Sequence, residues 1–233
     1  MNRVIAVAAL AAACAAAAPA PASAQTFLDQ GTFAIARDGA EIGREEFAIR
    51  TTAARRGRQG MLAVATDTYA DREARAALEL TPEGLPASYE VDVTAAGRVV
   101  ERLSGQLGHG RFAIRRITAG REAAHEFPVP PSFEILDEYG FDQYAFLPRP
   151  PSGTTQSVAL LLPREPRVIE GVVRPLGPDT VTIAGHGAAA DHYSLTLASG
   201  EVQEFWVSPG GDLLMVALPA RALTATRVSL PRR

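Results

Sequence analysis

A chain of 233 residues with one cysteine, 23 basic and 26 acidic side chains leaves few routes to several common functions. A single thiol makes no internal disulfide and no thiolate metal centre. A net charge of −3 gives no basic footprint for nucleic acid, and the length suffices for one sizeable core.

The N-terminal stretch differs from the rest. Arg3 precedes the apolar run "VIAVAALAAACAAAA", and "APASAQ" carries small residues at Ala22 and Ala24. This is the pattern of a secretory signal peptide over residues 1–24, cleaved between Ala24 and Gln25. "LAAAC", ending at Cys14, offers a second reading, a lipoprotein anchored through that cysteine. Residues 25–233 then form a single β-rich domain without cysteine. Its place is the periplasm or the exterior, and the mature chain has no transmembrane segment.

Within that domain "GTFAIARDGAEIGREEFAIR", residues 31–50, predicts two strands around a turn. Phe33 and Ile35 alternate with polar or small residues, the period of a half-buried strand. Asp38-Gly39 suits a tight hairpin turn needing positive φ. Phe47 and Ile49 resume the alternation, and the change of parity near Gly43 predicts a β-bulge. Glu45 shares the parity of Phe47 and Ile49 and is predicted to point toward the apolar side.

The pattern recurs. "LTPEGLPASYEVDV" turns at Pro82-Glu83-Gly84, after which Leu85, Ala87, Tyr89, Val91 and Val93 alternate. Further turns fall at Gly97, at Ala119-Gly120, at Ser199-Gly200 and at Pro209-Gly210-Gly211. Short strands separated by Gly-rich turns predict a curved antiparallel sheet or an incompletely closed β-barrel. "PPSFEILDEYGFDQYAFLPRPP", residues 130–151, interrupts the rhythm: Phe133, Leu136, Tyr144 and Leu147 recur at helical spacing and predict one substantial α-helix over about 132–147. "SVALLLP" and "DLLMVALP" do not alternate, so these strands are predicted to be covered on both faces, on one of them by the helix.

No chemistry announces itself. The four histidines lack ligand spacing, G-x-S-x-G is absent, and the glycine-rich turns lack the lysine of a phosphate loop. The reading contains no catalytic residue, no metal ligand and no cofactor. Glu45, Glu101 and Arg116 stand on apolar parities. They are read either as a structural Arg–Glu pairing or as polar groups in a wet or ligand-filled interior. Tyr89 and Tyr193 lie on apolar parities and Trp206 in a strand apolar on both sides. Together with Glu45, Glu101 and Arg116 they form the candidate ligand-binding set.

"LTPEGLPASYEVDV", "ILDEYGFDQYAFL" and "DHYSLTLASGEVQEFWVSPGGDLLMVALP" resemble spaced patterns of bacterial periplasmic β-rich domains of unknown function. Where that pattern often has an acid after the Trp-Val pair, Ser208 stands here. In architecture those domains are similar to periplasmic lipoprotein-carrier proteins, a half-open barrel around an apolar cavity. The resemblance implies a fold and no site residue. The leading functional expectation is an exported non-enzymatic binding or carrier module for a lipid or other apolar small molecule. The alternatives are a cell-envelope structural or assembly factor with a protein partner, and an enzyme with dispersed catalytic residues. An aromatic share of 6% argues against the girdles of an outer-membrane barrel.

Overall fold

Alternating sequences of this kind hydrogen-bond to their chain neighbours, and here that local rule extends through almost the whole molecule. The computed structural model describes residues 26–52, 58–165 and 167–231. The predicted signal peptide, Cys14 and the Ala24–Gln25 cleavage site lie outside them. Eight strands form a first meander: β1 Phe27–Arg37, β2 Ala40–Thr51, β3 Met61–Tyr69, β4 Arg72–Leu80, β5 Pro86–Ala95, β6 Arg98–Gly108, β7 Arg111–Thr118 and β8 Arg121–Pro128. A second comprises β9 Glu134–Ile135, β10 Gln156–Leu162, β11 Arg167–Ile183, β12 His186–Leu197, β13 Val202–Val207, β14 Leu213–Leu218 and β15 Leu223–Arg227.

The two meanders meet where β1 pairs with β15, giving one 15-stranded sheet that runs outward to β8 on one side and to β9 on the other. Every neighbouring pair is antiparallel except β9 with β10. The sheet curves but does not close. β8 and β9 are its edges, and the far ends approach through side chains instead. Phe133 packs edge-on against Phe112 of β7, ring centres 5.9 Å apart, and Arg164 reaches Glu101 of β6.

The predicted turns form as their residues dictate. Asp38 and Gly39 have φ of 49° and 79°, and Ala119 and Gly120 have 49° and 75°. The paired positive values are those of the hairpin turn whose twist matches the strands. The bulge near Gly43 is present: Ile35 pairs with Gly43 while Ala36 pairs with Glu41, leaving Ile42 over. Gly43 also lets Tyr69 cross, since a Cβ there would lie 2.7 Å from that ring.

The helix predicted over 132–147 does not form. Its place holds the two residues of β9 and a 3-10 turn, Phe141–Phe146. Gly140, at φ 155°, breaks the backbone, and Pro130 and Pro131 precede it. The apolar spacing misled because the segment is buried on several sides rather than along one stripe. Phe133, Ile135, Leu136, Tyr139, Phe141, Tyr144 and Leu147 are all buried. It lies across the concave face of the sheet as an irregular plug.

Without that helix, another element covers the late strands. β11 and β12 run on beyond the bulge at Pro175–Gly177 as a long hairpin. Val181, Ile183, Ala188 and Ala190 of this arm form a second apolar cluster with Trp206, Leu214 and Ala217. The main core, on the concave face, includes Phe33, Phe47, Leu78, Leu103, Leu160, Leu195 and Phe205. The double burial inferred from "DLLMVALP" is therefore real, and the arm supplies the second layer.

Candidate functional site

Two polar systems fix the plug to the sheet. In the first, Glu45 on β2 points inward and is fully buried. Its Oε2 accepts the N–H of Phe141 at 2.6 Å and its Oε1 that of Asp142 at 2.8 Å, answering the open donors at the start of the 3-10 turn. Asp67 of β3 stands directly opposite Glu45 and is equally buried, and the Asp142 side chain is buried beside them. No N–H or hydroxyl group reaches either Asp67 oxygen, and a protonated Glu45 opposite is the donor at hand. Burial, with the neighbouring acids behind it, pushes the Asp67 carboxyl up to about 8 and that of Glu45 well above the usual range. Burial takes Asp142 to about 7. Facing carboxyls in such a place retain protons.

The second system starts at Tyr89. Its hydroxyl donates to Asp137 Oδ2 at 2.9 Å and accepts from Gln143 Nε2 at 3.1 Å. Gln143 in turn accepts the Asp137 N–H at 2.8 Å. Arg164 Nε donates to Asp137 Oδ1 at 2.7 Å, and the same guanidinium pairs with Glu101 and lies 4.6 Å over the Tyr139 ring. Glu101 also accepts from Arg116 at 3.0 Å. Arg164 thus bridges β6 and the plug across the gap the sheet leaves open.

The six candidate residues are thereby located, and they do not share one place. Glu101 and Arg116 form an ion pair, the first of the two readings given for them. Glu45 and Tyr89 are buried anchors of the plug. Tyr193 stacks on Phe205, ring centres 5.1 Å apart, within the main core. Trp206 faces the other way, stacked on His192 at 4.1 Å and donating to Asp179 at 2.8 Å. Asp67 was within reach of the parity rule, since it continues the inward row of Ala63 and Ala65. Asp142, Gln143 and Arg164 carry no periodic signal. Ser208 hydrogen-bonds Asp212 at 2.8 Å and serves the turn between β13 and β14.

The concave face is occupied by side chains and by the plug, and a cavity of about 460 Å³ opens at its margin. Leu28, Ile49, Met61, Ala145 and Phe146 supply apolar walls, and Asp29, Glu134, Arg149 and Asp212 supply charge. Asp29 pairs with buried Arg227, while Arg149 donates to the Ala145 carbonyl at 2.9 Å. Glu134 stands apart: its Oε2 is shut from solvent without a donor, and burial pushes its carboxyl up to about 8. A second, larger groove of about 870 Å³ lies over β5–β8 with a polar lining that includes Glu90, Gln106, Arg115 and Glu126. None of the six candidate residues lines either space. Among the described residues no group of three or more His, Cys, Asp or Glu side chains is arranged to hold a metal ion, and no helix is long and apolar enough to cross a membrane.

No protein-family model matches the chain, and no curated protein matches its sequence. Among solved structures the fold is similar to the crystal structure of a β-barrel-like protein of the domain of unknown function DUF1849 from Brucella abortus. The TM-score is 0.52 at 10% sequence identity, over 88% of this chain and 98% of that one. The likeness is one of architecture: an uncharacterised, β-rich, barrel-like domain.

Proposed function

We propose that this chain is an exported, non-enzymatic binding module for a lipid or other apolar ligand, held at the margin of the curved sheet. The observation that carries the reading is the cavity of about 460 Å³, walled by Leu28, Ile49, Met61 and Phe146 and edged by a few charges. That volume lies in the range of small-molecule sites, and the lining sets apolar walls beside the charged side chains Asp29, Glu83, Glu134, Arg149 and Asp212. The barrel-like fold is compatible with a binding role, and the sequence of residues 1–24 supports export to the periplasm, with a lipid anchor at Cys14 as the alternative. The likeness to lipoprotein carriers belongs to this proposal and rests on sequence pattern. The ligand site is thereby moved from the deep interior, where Tyr89 and Tyr193 stand, to the edge of the plug. Aromatic anchors of the plug then act on binding by holding Ala145 and Phe146 in place.

Titration of the mature protein with an uncharged naphthylamine fluorophore tests this. Saturable enhancement at micromolar probe is expected, and Met61→Asp is expected to weaken it about tenfold, the cost of a charge in an apolar wall. A wild-type response that rises linearly without saturation overturns the reading.

A further inference from the structure

We infer that the cavity takes an amphiphile with a cationic, amine-type head, the head on Glu134 and the chain along Leu28, Ile49, Met61 and Phe146. This rests on the binding reading above and names its ligand class. Glu134 lies on β9 between Phe133 and Ile135, both buried in the core. Strand alternation turns the intervening side chain the other way, to the cavity it lines. The remaining charges are already answered. Asp29 has Arg227, Asp212 has the Ser208 hydroxyl, and Glu83 at the rim has Arg58 at 2.6 Å. Arg149 feels Asp29 and Asp212 and donates to a backbone carbonyl. Among the described residues Glu134 makes no ion pair, and it leaves one shielded oxygen without a donor. A buried acceptor left in that state is costly, and a ligand bearing N–H donors and a positive charge relieves the cost. A carboxylate head would meet Glu134, Asp29 and Asp212 with only an engaged Arg149 in its favour. The chain has somewhere to go as well. Leu28 on the cavity wall and its neighbour Phe27 are 50% and 55% exposed, apolar surface at the start of β1.

The charge chemistry sets a pH dependence. Burial pushes the Glu134 carboxyl up to about 8. A cationic head favours the ionised form, so binding it expels the proton. The facing groups are Asp29 on β1, Glu83 in the β4–β5 turn, Asp212 in the β13–β14 turn and Arg149 beyond the 3-10 turn. Affinity for an alkylammonium therefore rises about tenfold from pH 6 to pH 7, while that for the neutral alcohol of the same length stays level.

The experiment displaces the naphthylamine reporter from the full mature protein with dodecylammonium, dodecanol and dodecanoate, each below its aggregation threshold. Dodecylammonium is expected to displace at a concentration about tenfold below dodecanoate at pH 7.5, as one compensated charge implies. Glu134→Gln is expected to shrink that preference at least several-fold, with the melting temperature kept. Dodecanoate displacing as well as dodecylammonium, or a preference untouched by Glu134→Gln in a folded protein, overturns the inference while leaving apolar binding intact. A reporter that never saturates removes the binding reading itself, and with it this one.

Discussion

The two meanders that meet at β1 and β15 are built on different plans. In the first, β1 to β7 each have one covered face and the edge strand β8 is exposed along almost its whole length. Along β4, Ala74, Ala76, Leu78 and Leu80 turn inward, while the outward row carries Arg75 and Glu79. Its outer surface is tied by exposed ion pairs such as Arg102–Asp92 at 2.8 Å and Arg115–Glu122 at 2.7 Å. In the second, β13 and β14 are covered twice, by the main core beneath and by the β11–β12 arm above. The difference teaches that loss of alternation reports a second covering layer without naming what that layer is. Here it is a hairpin continuous with the sheet.

The sharpest way to break the comparison is to remove the contact between arm and sheet. Trp206→Ala takes away the largest side chain of the second cluster and the donor to Asp179. It is expected to cost about 3–5 kcal/mol in denaturant unfolding, as for other buried large-to-small changes. A cost below about 0.5 kcal/mol would show the arm to be a loose flap and the second plan illusory. Leu136→Ala in the plug is expected to lose about 2–5 kcal/mol, showing that the concave face depends on an irregular segment as much as on its strands.

A smaller effect separates the interior carboxyls from the exposed ones by the sign of their pH dependence. Glu45, Asp67 and Asp142 hold protons more tightly folded than unfolded. Between about pH 4 and pH 8 the native state therefore binds more protons, and their contribution to stability falls as pH rises through that window. Asp67→Asn removes one such group. Stability is expected to decline less steeply from pH 5 to pH 8, with a gain of about 1–3 kcal/mol at pH 9, the scale of an unsatisfied buried polar group. A steeper decline would mean that the carboxylate form of Asp67 is the one the fold favours. Least of all, Arg102→Ala on the wet face of the first meander is expected to shift the unfolding midpoint barely, and to lose even that in high salt.

Much of the fold was legible because the physics that made it is local. Asp38-Gly39 and Ala119-Gly120 announced their turns, the parity change beside Gly43 announced its bulge, and inward Glu45 was visible as a charge in an apolar row. The plug was not legible. Residues 132–147 are apolar at helical spacing, yet Gly140 and the backbone capture of Phe141 and Asp142 by Glu45 decide their conformation. That contact spans almost a hundred positions of chain and leaves no periodic trace. The cavity was hidden for the same reason. The β1–β3 hairpins bring Leu28 and Met61 near each other, but Glu134 and Arg149 come from distant stretches and join them only through the plug. Phe133, Leu136, Tyr144 and Leu147, whose spacing predicts a helix, are buried all the same, because hydrophobicity reports burial whatever the backbone does.

The central claim is that an apolar ligand occupies the margin cavity rather than the deep interior or the arm. Photolabelling the mature protein with an uncharged alkyl diazirine, followed by peptide mapping, addresses it most directly. Label is expected on the peptides containing Leu28, Met61 and Phe146, and is expected to fall when unlabelled dodecanol competes. Label concentrated on the arm around Trp206, or spread evenly over the surface without competition, would contradict the account.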